Sequence, residues 1–126
     1  MQCNALIVCI FSLSTLLTSC SLSYDSGYPR KVYFPKEGGE RTYTGELGIT
    51  IIEVADYYGD GAAQSEEQED KTLFAESDWL IIKSPHKGST TIQFIAEPNP
   101  NKKRRKLYVD INRAMPQTTQ IVIIQD

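Results

Sequence analysis

An all-β domain, a sandwich of about seven short strands, is what this sequence predicts. Two segments, 90–96 and 105–112, place apolar residues at every second position on one face. Gly, Pro, Asn and Asp punctuate the chain at short intervals. No stretch keeps the 3.6-residue apolar period over the three turns that a core helix requires. A small barrel is the alternative closure of the same strands.

The elements follow in order. Lys31-Val32-Tyr33-Phe34 is short and β-prone, and Pro35 closes it. Gly38-Gly39 makes a turn into 40–46, a polar strand around Tyr43. Residues 48–54, rich in Ile and Thr, read as one strand. Residues 55–71 break the rhythm with Tyr57-Tyr58-Gly59-Asp60-Gly61 and a run of Gln, Glu and Asp, and read as a long acidic loop. Trp79 opens a compact apolar strand over 79–83, which Ser84-Pro85 ends. In 90–96, Ile92, Phe94 and Ala96 share a face. In 105–112, Leu107, Val109 and Ile111 share one face, with Tyr108, Asp110 and Asn112 on the other. Residues 120–125 are apolar on both faces, the mark of an interior strand.

The N-terminal part reads as targeting. Residues 5–17 are almost wholly apolar, about 20 Å of helix at about 1.5 Å per residue. A bilayer core needs roughly 20 apolar residues, so the run suits a signal peptide rather than an anchor. Leu17-Thr18-Ser19-Cys20 resembles the lipobox of bacterial lipoproteins: a bulky aliphatic, two small residues, then cysteine. That resemblance implies cleavage before Cys20 and acylation of its Sγ, with palmitate-type chains holding the protein in the membrane. The expected organisation is a signal peptide over 1–19, a lipidated tether over 20–30 and one domain over 31–126.

Composition narrows the function. All three cysteines lie at or before position 20, so the domain has neither a disulfide framework nor a cysteine metal site. A net charge of −3 argues against a nucleic-acid partner. His86, the single histidine, follows Pro85 in an apparent turn, where an exposed surface role is expected. Zinc needs several N or S ligands, and no cofactor or metal site is expected. Glu66, Glu67, Glu69 and Asp70 read as a solvated acidic surface rather than a glycosidase pair. Lys102-Lys103-Arg104-Arg105-Lys106 reads as a solvated hairpin turn, with an anion-binding patch as the functional alternative. The expectation is a protein that is not an enzyme.

Binding residues gather in loops on rigid scaffolds, and flat rings stack on sugar C–H faces. Tyr57 and Tyr58 are therefore the candidate stacking groups, with Asp56 and Asp60 as acceptors for sugar hydroxyls and weak candidates for calcium. Trp79, heading an apolar strand, is expected in the core.

From Val32 to Gln125 the chain resembles the BACON domain, the Bacteroidetes-associated, often N-terminal module of secreted proteins. The resemblance rests on Val32-Tyr33-Phe34, Gly38-Gly39, Trp79-Leu80-Ile81-Ile82, Gly88-Ser89-Thr90-Thr91-Ile92, Asn99 or Asn101 followed by Arg104-Arg105, and the closing Ile121-Val122-Ile123-Ile124-Gln125. An upstream Trp usual in the family has no counterpart here. The resemblance implies an immunoglobulin-like sandwich, a bacterial cell envelope and a carbohydrate or mucin partner. It supplies no binding residues. The expected protein is a lipid-anchored module of the outer membrane that binds glycan. The alternative is an accessory subunit or spacer docking on another envelope protein.

Overall fold

The computed structural model describes residues 24–56, 63–113 and 118–126. A small hairpin of β1 (Tyr24–Asp25) and β2 (Tyr28–Pro29) precedes two five-stranded sheets. The first sheet is ordered β4 (Gly39–Ile49), β10 (Ser89–Ala96), β9 (Leu80–Ser84), β8 (Leu73–Ser77) and β7 (Glu66–Glu67). The second is ordered β3 (Lys31–Phe34), β12 (Thr119–Gln125), β11 (Arg105–Ile111), β5 (Ile52–Ala55) and β6 (Ala63–Gln64). All pairings are antiparallel except β3 with β12. The β-sandwich is as the alternation predicts. It has more strands than about seven because several two-residue strands extend its sheet edges.

Period-two patterning builds the core. Ile92 and Phe94 of β10 and Leu80 and Ile82 of β9 face Val109 and Ile111 of β11 and Ile121 and Ile123 of β12, all buried. β12 lies between β3 and β11, the interior position that its two apolar faces predict.

The chain changes sheets four times, and three of these crossings correct the sequence reading. The Ile- and Thr-rich run 48–54 is two strands rather than one. β4 ends at Ile49 and β5 begins at Ile52 in the other sheet. Asn112 makes the break. Its Oδ1 accepts the N–H groups of Thr50 (2.8 Å) and Ile51 (3.2 Å), and its Nδ2 donates to Gly48 O (2.8 Å). Asn112 is buried with φ 59°, a left-handed conformation that Asn tolerates better than most residues. The acidic run is not wholly loop either. β6 pairs with β5, β7 pairs with β8, and the chain crosses at Ser65, whose Oγ accepts Ile52 N–H at 2.9 Å. The basic run lies in no hairpin, because 97–104 carries the chain from β10 in the first sheet to β11 in the second.

The expected tether also folds in part. Tyr28 is fully buried, and its hydroxyl lies 2.7 Å from both Leu47 O and Thr90 O. Burial raises the phenol's pKa above the ordinary tyrosine value, so the ring stays neutral. The ring crosses β4 at Gly45, where a Cβ would sit 2.5 Å from it. Gly, Ser and Pro in this segment signal a turn, and Tyr28 supplies the apolar area that docks it.

Asn112→Ala removes three backbone partners at a buried crossing. It is expected to cost about 2–4 kcal/mol in urea unfolding with an unchanged m-value. A loss below about 1 kcal/mol would show that water replaces those bonds.

Candidate functional site

The ends of the sandwich are occupied by chain crossings, and among the described residues no segment covers the outer face of the first sheet. Alternation places Thr42, Gln93, Lys83 and Phe74 outward on β4, β10, β9 and β8. Register aligns them: Thr42 is opposite Gln93, Gln93 opposite Lys83, Lys83 opposite Phe74, and Phe74 opposite Glu66 of β7. The row crosses the whole sheet, about 19 Å at about 4.8 Å per strand.

Two shallow depressions lie along this row. One, of about 340 Å³, is lined by Thr42, Thr72, Lys83, Ser84, Pro85, Thr91 and Gln93. The other, of about 550 Å³, is lined by Gln68, Glu69, Asp70, Thr72, Phe74 and Lys83. Thr72 and Lys83 belong to both. The Thr44 and Thr91 hydroxyls meet at 3.0 Å, and Gln93 Nε2 donates to Glu40 Oε1 at 3.2 Å. Thr72 N–H donates to Asp70 Oδ1 at 3.1 Å and, with a lesser contribution from Lys83, holds that carboxyl below its ordinary pKa. Asp70 is thus an ionised acceptor near neutral pH. The face presents hydroxyls, an amide, an ammonium, carboxylates and one aromatic side chain. These groups suit a ligand with many hydroxyls, each able to donate and to accept.

The residues named from sequence fall elsewhere. Cys20, Tyr57, Tyr58 and Asp60 lie outside the described residues. Asp56 is described and exposed, just beyond β5 in the second sheet. His86 is exposed in the turn between β9 and β10. Among the described residues, no group of His, Cys, Asp and Glu is arranged to hold a metal ion. Thr42, Phe74, Lys83 and Gln93 were not singled out in the sequence. The alternation in 90–96 marks Gln93 as outward, but only strand pairing shows that the four share a row.

Four of the five residues of the basic run are exposed, as expected, but Arg104 and Arg105 also make structural contacts. Arg105 Nε donates to Gln125 Oε1 at 2.7 Å, its Nη2 reaches the carbonyls of Glu97 and Pro98, and its guanidinium stacks 4.5 Å from the centre of the buried Trp79 ring. Arg104 pairs with Asp126 at 3.0 Å. Lys102, Lys103 and Lys106 are exposed. Gln125 Nε2 donates to Pro35 O (3.1 Å) and Glu97 O (2.7 Å), and Asn99 Nδ2 donates to Lys103 O (2.8 Å) and Asp126 O (3.2 Å). Gly38, with φ 83°, packs where any Cβ would collide with Ala96 O. Gly38, Trp79, Asn99, Arg105 and Gln125 therefore gather at one end of the sandwich, where Asn99, Arg105 and Gln125 bond the backbone of Pro35, Glu97, Pro98, Lys103 and Asp126.

Comparison of the chain with protein-family models, curated proteins and solved structures finds no match.

Arg105→Met is expected to lower stability by about 2 kcal/mol, because it strands the Gln125 carbonyl and two backbone acceptors. Lys102→Ala and Lys103→Ala are expected to stay within about 0.5 kcal/mol of the parent chain. Equal effects from all three, measured by thermal and urea unfolding, would contradict a structural role for Arg105.

Proposed function

We propose that this chain is a non-enzymatic module of the bacterial outer membrane, anchored by lipid at Cys20, that binds glycan across the outer face of its first sheet. The row Thr42–Gln93–Lys83–Phe74–Glu66 carries the reading. It is a rigid, shallow strip of hydrogen-bonding groups beside an aromatic ring, and an extended polysaccharide is long and hydroxyl-covered. Each sugar contact is exposed and worth little, so affinity is gained by repetition along the strip. The lipobox-like Leu17-Thr18-Ser19-Cys20 supports the anchor.

The folded hairpin sets where such an anchor acts. Cys20 precedes Tyr24 of β1 by four positions, which reach at most about 14 Å when extended. Ser26 O accepts the N–H of Glu46, near the end of β4. The end of the sandwich carrying the hairpin would then lie beside the bilayer. The crossing at 97–104, with Lys102 and Lys103, would point away from it.

Phe74→Ala and Gln93→Ala are each expected to weaken retention on immobilised polysaccharide about tenfold or less, with thermal stability kept, while Tyr33→Ala on the other sheet leaves retention unchanged. Retention lost in Tyr57→Ala or Tyr58→Ala instead would move the contact to the segment 56–60, with Asp56 and Asp60. No retention of the parent chain on any polysaccharide would overturn the glycan reading.

Cys20→Ala is expected to release the protein from the membrane fraction or leave it uncleaved. Fractionation and maturation like the parent chain would refute the lipid anchor.

A further inference from the structure

A second row crosses the outer face of the first sheet, beside the one through Gln93 and Lys83. Glu40 of β4 is opposite Ile95 of β10, Ile95 opposite Ile81 of β9, and Ile81 opposite Glu76 of β8. The two isoleucines are half-buried, and Phe74 stands diagonal to Ile81 in the neighbouring row. Glu40 and Glu76 are exposed at the ends of the new row, about 14 Å apart at about 4.8 Å per strand. Gln93 Nε2 donates to Glu40 Oε1 at 3.2 Å, which holds that carboxylate over the face. Glu66 is opposite Phe74, and Glu69 and Asp70 line the depression that Phe74 shares. Ile95, Ile81 and Phe74 are thus set among five carboxylates. Lys83 and Lys71, the latter in the turn between β7 and β8, are the cations beside them. The excess of three carboxylates at this one face matches the net charge of −3 of the entire chain.

We infer that the glycan bound on this face is built of amino sugars that carry free ammonium groups. The inference rests on the glycan reading above and names the class of sugar. A polymer of uronic acids or sulfated sugars meets like charge across the face and is repelled. A protonated amino sugar matches both features of the surface. Its C–H faces lie on Ile95, Ile81 and Phe74, and its ammonium groups donate to Glu40, Glu76 and Glu66. An ammonium has three N–H donors and no acceptor, while an ionised carboxylate only accepts. Acetylation of the sugar nitrogen removes that charge and so removes the match. The Thr72 N–H bond holds Asp70 below the ordinary carboxylate range, so it stays ionised in mildly acidic solution. β10, β9 and β8 are each paired on both sides, so this face offers side chains and no backbone groups to an extended peptide. Each exposed ion pair is weak, and selectivity comes from several of them along one polymer.

The test uses the full chain in mild detergent and two soluble probes, the hexamer of glucosamine and its fully N-acetylated form. Binding is measured at about pH 5.5, where side-chain carboxylates are largely ionised. The glucosamine hexamer is expected to bind at least about tenfold tighter than the acetylated one. That preference is expected to shrink in about 0.5 M salt. Glu40→Gln combined with Glu76→Gln is expected to bring the two probes within about twofold of each other, with thermal stability kept because both side chains are exposed. Equal binding of the two hexamers by the parent chain, or tighter binding of the acetylated one, would overturn the choice of amino sugar and leave glycan binding in place. Retention on another polysaccharide with neither hexamer bound would do the same. A parent chain retained on no polysaccharide at all would overturn both readings. Polylysine that competes at these carboxylates as well as the glucosamine hexamer does would also overturn the inference, by making the face a docking surface for basic peptides.

Discussion

The structure depends on satisfying the backbone where the chain leaves one sheet for the other. At each crossing the ladder stops, and the N–H and C=O groups there are close to a core with no water to receive them. Buried amide side chains answer this need. Asn112 closes the crossing between β4 and β5, while Asn99 and Gln125 bind the crossings at 35–38 and 97–104 to one another. All three are almost fully buried, unusual for such polar residues, and each makes several bonds. The two sheets are held in register by these polar connections at the ends as well as by Ile, Val and Phe between them.

This arrangement decides which surfaces remain for recognition. One end of the sandwich is filled by Trp79, Arg105 and Gln125, and the other carries Asn112 and the hairpin around Tyr28. A ligand bound there would have to displace structural bonds. The outer faces carry no such burden, and the strands beneath them are rigid. The first sheet's face is the more polar of the two and bears the depressions. The second carries Tyr33, more than half exposed at 56%, on a four-residue edge strand.

The same logic explains the residues that support the family resemblance. Gly38, Trp79, Asn99, Arg105 and Gln125 are far apart in sequence and meet at one end of the sandwich. Their spacing reflects the lengths of the strands between them. In this chain the crossings use a turn glycine, a ring over the end of the core, and amides that bond the crossing backbone. Such residues speak to architecture and leave the ligand open.

Much of the fold is legible in the sequence. The period of two in 90–96 and 105–112 assigns inward and outward residues, because a strand's geometry acts on neighbours in the chain. The two apolar faces of 120–125 likewise mark an interior strand. The continuous Ile- and Thr-rich run 48–54 gives no sign of its division, since the break is made by Asn112, some sixty residues away. The polar run containing Glu66 and Glu67 hides two short strands, because their stability comes from the edges of β5 and β8 rather than from their own composition. The row Thr42–Gln93–Lys83–Phe74–Glu66 is decided by tertiary structure in the same way. Local sequence sets which way each side chain points, and only the pairing of distant strands sets which side chains stand side by side.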